Sequence, residues 1–294
     1  MHHVILGPGG IGGLMGACLA HSGEQVTMVV RPTAFASFPD RLHLESTFGT
    51  FDEPVGRGTS APSADVLWVT VKATQLEAAL RSVPESSVFR GVVPLLNGVD
   101  HVAVLRARFG QDVVIPATIA GESERIAPGR ISHPSPFARL SVSSCGRGLL
   151  TGTLEQLEKI GFMYRFVDDD ATLLWSKLVF LAPIALTTTA AGAPIGQVAV
   201  DPERSQQLEA CVQEVCAVAM AEGAKVDPSL TLRGILSLPA GTRSSMQKDV
   251  GQGNPPELDA IAGPILRGAA QHHVPVPVTQ ALAALVARRS QTHA

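Results

Sequence analysis

The chain has 294 residues, 45% of them hydrophobic and 17% charged, with a formal net charge of −3. That length fits two domains with full hydrophobic cores. With no basic tract there are no counterions to release, so neither nucleic acid nor a membrane surface is expected as a partner. The four cysteines, Cys18, Cys145, Cys211 and Cys216, fall in no C-x-x-C or zinc-ligand spacing. They read as reduced intracellular residues, and no metal site is expected.

The chain enters an apolar strand at once, His2-His3-Val4-Ile5-Leu6, which leaves no room for a signal peptide and points to a cytoplasmic protein. The strand opens onto Gly7-Pro8-Gly9-Gly10-Ile11-Gly12, a G-x-G-x-x-G run, and Ile11 to Ser22 then reads as a helix closed by Gly23. Between a strand and a helix, that run is the dinucleotide fingerprint. One glycine permits the tight turn, the next lets a pyrophosphate approach the backbone, and the third lets helix and strand pack closely. The helix start adds free N–H groups and partial positive charge.

Val26 to Arg31 is the second strand of a βαβ unit, and Arg31 stands where such a fold meets the adenosine ribose. An acidic residue there would favour an unphosphorylated ribose, whereas arginine favours a 2′-phosphate; a plain surface arginine is the alternative. Arg41 to Val55 breaks the alternation and reads as a hairpin. Asp65 to Lys72 is a third buried strand, followed by an amphipathic helix from Gln75 to Val83. Val92 to Leu96 and Val113 to Thr118 continue the apolar runs of strands covered on both faces. Arg130 to Ser143 alternates with period two and closes the first domain. Lys72 and Gln75 follow one strand end and Asn97-Gly98 another. Each either faces the ligand crevice or is a solvated strand end or tight turn.

After Phe166 strand signals vanish and alanine, leucine and glutamine dominate. The fold class is therefore a mainly parallel, doubly wound α/β Rossmann domain over residues 1–166, followed by an all-α domain over 167–294. Leu173 to Ile195 is apolar enough to raise the question of a membrane span. It carries Lys177, Pro183 and three threonines and lacks basic flanks, so a buried helix is expected, with Asp170 as its cap. Lys177 either snorkels to water or points into a cleft, where desolvation would lower its pKa toward a value useful for proton transfer. Asn254-Pro255-Pro256-Glu257 reads as a capping box, a structural role that competes with a functional one for Glu257. Ser244-Ser245 could cap a helix or present hydroxyls to a ligand.

In order and spacing these residues resemble the ketopantoate reductase (2-dehydropantoate 2-reductase) family. The resemblance rests on Gly7 to Gly12, Arg31, Val71-Lys72-Ala73-x-Gln75, Asn97-Gly98, Trp175-x-Lys177-Leu178, Ser244-Ser245-Met246-x-x-Asp249 and Glu257-Leu258-Asp259. It runs over essentially the whole chain. It implies a Rossmann domain and a helical domain with the active site in the cleft between them, NADP(H) as cofactor, and reduction of 2-dehydropantoate to pantoate in pantothenate biosynthesis. It further implies that Lys177 is the general acid, that Glu257 lies near substrate and nicotinamide ribose, and that Ser244 and Ser245 sit at the substrate. Gly7, Pro8, Gly9, Gly10, Ile11, Gly12, Arg31, Lys72, Gln75 and Asn97 would then hold the cofactor, with Glu257 also on that side. A small 2-oxo acid is the expected partner molecule, and such enzymes often form homodimers.

The chain departs from the family at three places. Leu181, Ala185 and Ile195 stand where family members carry asparagines. The first two lie four and eight residues after Lys177, on its helix face. A lost hydrogen bond to a charged ligand is worth about 1.5–3 kcal/mol. These replacements open two alternatives to 2-dehydropantoate: a more apolar 2-oxo acid or carbonyl compound, or a noncatalytic NADPH-binding protein. Thr187 to Thr189 are candidate substitutes for the lost contacts.

Overall fold

The computed structural model describes residues 1–292. Two compact units comprise Met1–Leu96 with His101–Asp170, and Asn97–Asp100 with the chain from Ala171 onward. The first unit runs β1 His2–Leu6, α1 Gly10–His21, β2 Gln25–Val29, α2 Pro32–Phe35, β3 Arg41–Ser46, β4 Gly49–Pro54, β5 Gly56–Gly58 and β6 Ala64–Val69. It continues α3 Leu76–Leu80, β7 Phe89–Pro94, α4 His101–Phe109, β8 Ala117–Ala120, β9 Glu124–Ala127, β10 Arg130–His133, β11 Ala138–Ser143, α5 Arg147–Ile160 and β12 Phe162–Val167. The second unit carries α6 Asp170–Ala191, α7 Ile195–Val200, α8 Pro202–Ala221, α9 Pro228–Leu236, α10 Ser245–Gly251, α11 Leu258–His272 and α12 Pro277–Thr292.

Among the described residues, the central sheet has the order β5-β2-β1-β6-β7, and every pair is parallel. Leu6 pairs with Val29 on one side and Val69 on the other, and Val69 with Pro94. The segments after these strands therefore leave the sheet at one edge, around the point where the strand order reverses from β1. That is where an open α/β sheet binds ligands. Two further sheets, β4-β3-β10-β9 and β12-β11-β8, complete the unit. Ile5, Leu14, Met28, Trp68, Val93, Leu140 and Leu154 belong to its core. The Trp68 indole N–H donates to His3 Nδ1 at 3.1 Å. Burial holds the His3 pKa down at about 4, so the imidazole is neutral and can accept that bond.

Several boundaries differ from the sequence expectation. The helix expected from Gln75 to Val83 is a short turn at Ala73–Gln75 followed by α3. Ser82 Oγ bonds the Ala79 carbonyl at 2.7 Å, and Pro84 follows, so the helix cannot run on. Val113 to Thr118 is not a strand of the central sheet. Pro116 has no N–H for the ladder, only the Val92–Val114 bridge forms, and β8 pairs with β11 instead. Asp170 is the first residue of α6, and its carboxylate pairs with Arg106 at 2.6 Å.

α6 is the apolar stretch that prompted the membrane question, and it is long and apolar enough to cross one. In the structure 67% of its apolar window is buried, and Leu178, Ala182 and Leu186 join Leu208, Val212, Val215, Ile235 and Ile265 in one core. Pro183 withdraws one helical N–H from the Val179 carbonyl, and Thr187 and Thr188 hydroxyls bond back to the carbonyls of Pro183 and Ile184, each at 2.6 Å.

The start of α1 depends on missing side chains. A Cβ at Gly12 would lie 2.1 Å from the Gly7 carbonyl oxygen, whereas one at Gly9 would meet no atom within 4 Å. Overpacking costs about 1–3 kcal/mol, and each kcal/mol moves the Tm by roughly 2–4 °C in a domain of this size. Gly12→Ala is expected to lower the thermal unfolding midpoint by several degrees, while Gly9→Ala leaves it nearly unchanged.

Candidate active site

The glycine turn is built by the strands beneath it. Gly7 has φ +107°, and a Cβ there would strike the Val71 backbone nitrogen at 2.8 Å. Thr70, just after β6, donates its hydroxyl to the carbonyls of Gly7 at 2.7 Å and Leu6 at 3.1 Å. Ser123 Oγ donates to the Gly10 carbonyl at 2.9 Å. Thr70 and Ser123 thus fix the loop from outside it. Neither carried a motif of its own, because their roles follow from strand pairing rather than from local pattern.

These residues fit a dinucleotide phosphate. Gly9 precedes α1 with extended backbone and no side-chain cap, and the first turn of α1 contains no acidic residue to neutralise the helix dipole. Packing inside the protein does not require a glycine at position 9, since a Cβ there meets nothing. What it leaves is open space in front of the helix N–H groups, as a pyrophosphate needs. Pro8 and Ile11 complete the loop. Arg31 is exposed at the N-cap position of α2, two residues past β2. Lys72 and Gln75 are exposed on the turn after β6, where the Gln75 amide bonds the Lys72 carbonyl at 2.8 Å.

The second unit brings Lys177, Glu257 and Asn97 together. Lys177 lies two turns into α6 among Leu173, Leu174, Trp175, Leu178 and Val179, all buried. Desolvation pulls its pKa down to about 8, against the upward pull of the Glu257 carboxylate. Burial therefore outweighs attraction, and the amine still carries a proton at neutral pH. Glu257 is itself buried and accepts a hydrogen bond from Asn97 Nδ2 at 3.2 Å.

The capping box expected at 254–257 does not form. α11 begins at Leu258, Glu257 sits at its N-cap position without a side-chain cap bond, and Asn254 Nδ2 bonds Gln252 Oε1. Two consecutive prolines keep the chain out of helix before Glu257. Its carboxylate is consequently directed to Asn97 and the Lys177 charge instead of the α11 amides.

The 97–100 segment is fastened to α11 at three points. Besides the Asn97–Glu257 bond, Gly98 has φ +84° and approaches so closely that a Cβ would sit 2.3 Å from the Ala260 carbonyl oxygen. Pro264, inside α11, cannot donate to that carbonyl, which leaves it turned toward Gly98. Arg267 then bridges Asp100 and Asp259, the latter at 2.9 Å.

Ser244 and Ser245 differ in what they can offer. Ser244 is buried at the N-cap of α10, where its hydroxyl accepts from the Gln247 amide at 3.1 Å and lies 3.0 Å from Thr188 Oγ1. The Thr188 proton is committed to Ile184, so Ser244 must donate to Thr188 and has no proton left for a ligand. Ser245 is exposed at the first residue of α10. Gln247 Oε1 and Thr189 Oγ1 are buried with no hydrogen-bond partner among the described residues. Buried polar atoms in that state call for a ligand or water, and Gln247 had no signal in the sequence beyond its place beside Ser244. Ala185 and Ile195 are buried in the helical core and Leu181 packs against it. Among the described residues no cluster of His, Cys, Asp and Glu could hold a metal.

A family model described as "Ketopantoate reductase PanE/ApbA" matches residues 3–144, and its C-terminal counterpart matches residues 171–290. A 2-dehydropantoate 2-reductase of Caulobacter vibrioides is 28% identical over 96% of this chain and 97% of its own length. Among solved structures, a PanE/ApbA family ketopantoate reductase from Ralstonia eutropha JMP134 is 25% identical with TM-score 0.88, covering 100% of this chain and 99% of the other. A D-mandelate dehydrogenase with NADH and anilino(oxo)acetate shares the fold at TM-score 0.88 and 18% identity, with the same coverage. With both family models matching and together spanning most of its length, the chain belongs to the ketopantoate reductase family and is an NADP-dependent oxidoreductase acting on the CH–OH/C=O pair.

Proposed function

We propose that the protein reduces 2-dehydropantoate to pantoate, with Lys177 as the proton donor, and serves pantothenate biosynthesis in the cytoplasm. The observation that carries this is the Lys177 amine, desolvated to a pKa of about 8 beside a buried carboxylate. Gly7 to Gly12 would hold the pyrophosphate, Arg31 the ribose 2′-phosphate, and Lys72, Gln75 and Asn97 further parts of the cofactor. When bound, NADPH supplies a hydride to the carbonyl carbon.

The chain's own work is on the carbonyl oxygen. Lys177 holds its proton toward that oxygen, and the positive charge stabilises the alkoxide character that builds as the C=O bond breaks. Transfer of the proton completes the hydroxyl and leaves a neutral amine that solvent recharges. A donor with pKa near the working pH is close to optimal for this role. Glu257, steadied by Asn97, keeps Lys177 charged in dry surroundings, while Ser245 and the Gln247 amide offer polar groups to substrate. Ser244 contributes by capping α10 and so placing its neighbours.

One observation favours a second substrate. Leu181, one turn beyond Lys177 on the same face of α6, is apolar and only partly buried. A 2-oxo acid with a bulkier apolar side chain would suit that surface better than the hydroxylated tail of 2-dehydropantoate, and a D-mandelate dehydrogenase uses the same fold.

NADPH oxidation assays separate the two. Turnover with 2-dehydropantoate at a lower KM than with aromatic or branched 2-oxo acids supports the first reading, and the reverse order supports the second. Reduction should fall as the pH rises through about 8, where Lys177 loses its proton.

Lys177→Met should lower kcat by about 10²- to 10⁴-fold, the range for loss of a general acid. A Lys177→Met/Glu257→Gln variant, which leaves no buried carboxylate without its counter-charge, should unfold at a higher temperature at pH 7. A lysine with a depressed folded pKa costs stability in full below about 8 and ceases to do so above 10.5, its ordinary value. The Tm advantage of the double variant should accordingly narrow between those two pH values. A Tm below wild type at pH 7 would contradict the account.

A further inference from the structure

Arg31 stands at the N-cap position of α2, a four-residue helix with no buried residue. A single turn of that length does not hold itself, so something outside it must fix the residue that would read the ribose phosphate. Phe38, 3% exposed, anchors the far end in the core. The remaining constraint comes from β5. This three-residue strand, Gly56-Arg57-Gly58, pairs with β2 so that Arg57 lies opposite Met28, and Arg57 is its one residue with a side chain.

The Arg57 guanidinium donates through Nη1 to the Phe35 carbonyl at 3.0 Å and to the Phe38 carbonyl. Its Cζ also lies 5.0 Å from the centre of the Phe35 ring. A cation here donates to carbonyls at the C-terminal end of the turn and meets the negative end of its dipole. Stacking on Phe35 adds to the hold. β5 thus delivers one side chain to one place, the back of the turn whose front carries Arg31.

We propose that Arg57 is a positioning residue for cofactor selection, holding the Arg31 turn in the shape that receives a ribose 2′-phosphate. The proposal rests on the reading of Arg31 given above. Arg57 acts through Arg31 and does not touch the nucleotide itself.

Calorimetric titration of NADPH and NADH into the full-length protein tests this, using wild type, Arg57→Gln, Arg57→Lys, Arg31→Ala and the Arg31→Ala/Arg57→Gln double variant. Loosening a preformed ionic contact should weaken NADPH binding about 5- to 20-fold in Arg57→Gln. NADH affinity should stay within about twofold, because its ribose makes no such contact. Arg57→Lys, which keeps a cationic donor for the two carbonyls, should recover most of the loss. In the Arg31→Ala background, Arg57→Gln should add little further loss, as expected for groups that act as one unit. Equal weakening of NADPH and NADH in Arg57→Gln would overturn the proposal as a general loss of structure. A fully multiplicative effect in the double variant would overturn it in favour of independent action. Selectivity lost in Arg31→Ala but unchanged in both Arg57 variants would leave the Arg31 reading intact and refute the role of Arg57. No selective loss in Arg31→Ala would refute both.

Discussion

A desolvated ammonium group stays charged more readily when a counter-charge is held near it, because desolvation disfavours the charged form. In this protein the pairing of Lys177 with Glu257 meets that condition, and much of the helical unit is arranged around it. α6 supplies the dry surroundings. The proline pair before α11 keeps Glu257 off the helix amides. The 97–100 segment brings Asn97 to the carboxylate and is itself secured through Gly98 at the Ala260 carbonyl and Asp100 at Arg267. Desolvation wins over attraction by enough to bring the pKa to about 8 and no further, which leaves a proton that is held at neutral pH and given up readily.

The glycine turn obeys a different constraint, one of volume. Backbone must pass where a side chain cannot, and Thr70 and Ser123 then tie down carbonyls that a looser turn would leave to water. On the function proposed above, the two constraints divide the chemistry. One would present helix N–H groups and an exposed arginine to a phosphorylated nucleotide, and the other a tuned acid to a carbonyl.

Both constraints were legible in the sequence to the extent that they are written in residue identity. Glycines at 7, 9 and 12 between a strand and a helix mark a backbone that must come close to a phosphate, and a lysine in the middle of an apolar helix announces a cost that needs a reason. Glu257 shows the limit of local pattern. Asn-Pro-Pro-Glu has the spacing of a capping box, but the prolines delay the helix and turn the carboxylate to a residue 160 positions away in the chain. Thr70, Ser123 and Arg57 were invisible for the same reason, since each acts through strand pairing or a turn made elsewhere. Pro116 ended a strand that apolar content alone would have continued. The substrate side was least legible, because Leu181, Ala185 and Ile195 say what the site lacks, and the hydroxyl of Ser244 turns out to be occupied within the fold.

The central claim is that burial lowers the Lys177 pKa and that the Glu257 carboxylate limits the fall. Lysine ε-carbon NMR titration of the protein labelled at lysine, with Lys177→Met used to assign the signal, reads that directly. A midpoint near 8 in the wild-type protein, moving to lower pH in Glu257→Gln as the upward pull of the carboxylate is removed, is the predicted result. A midpoint at the ordinary lysine value of 10.5, or one that does not move when Glu257 is neutralised, would contradict it.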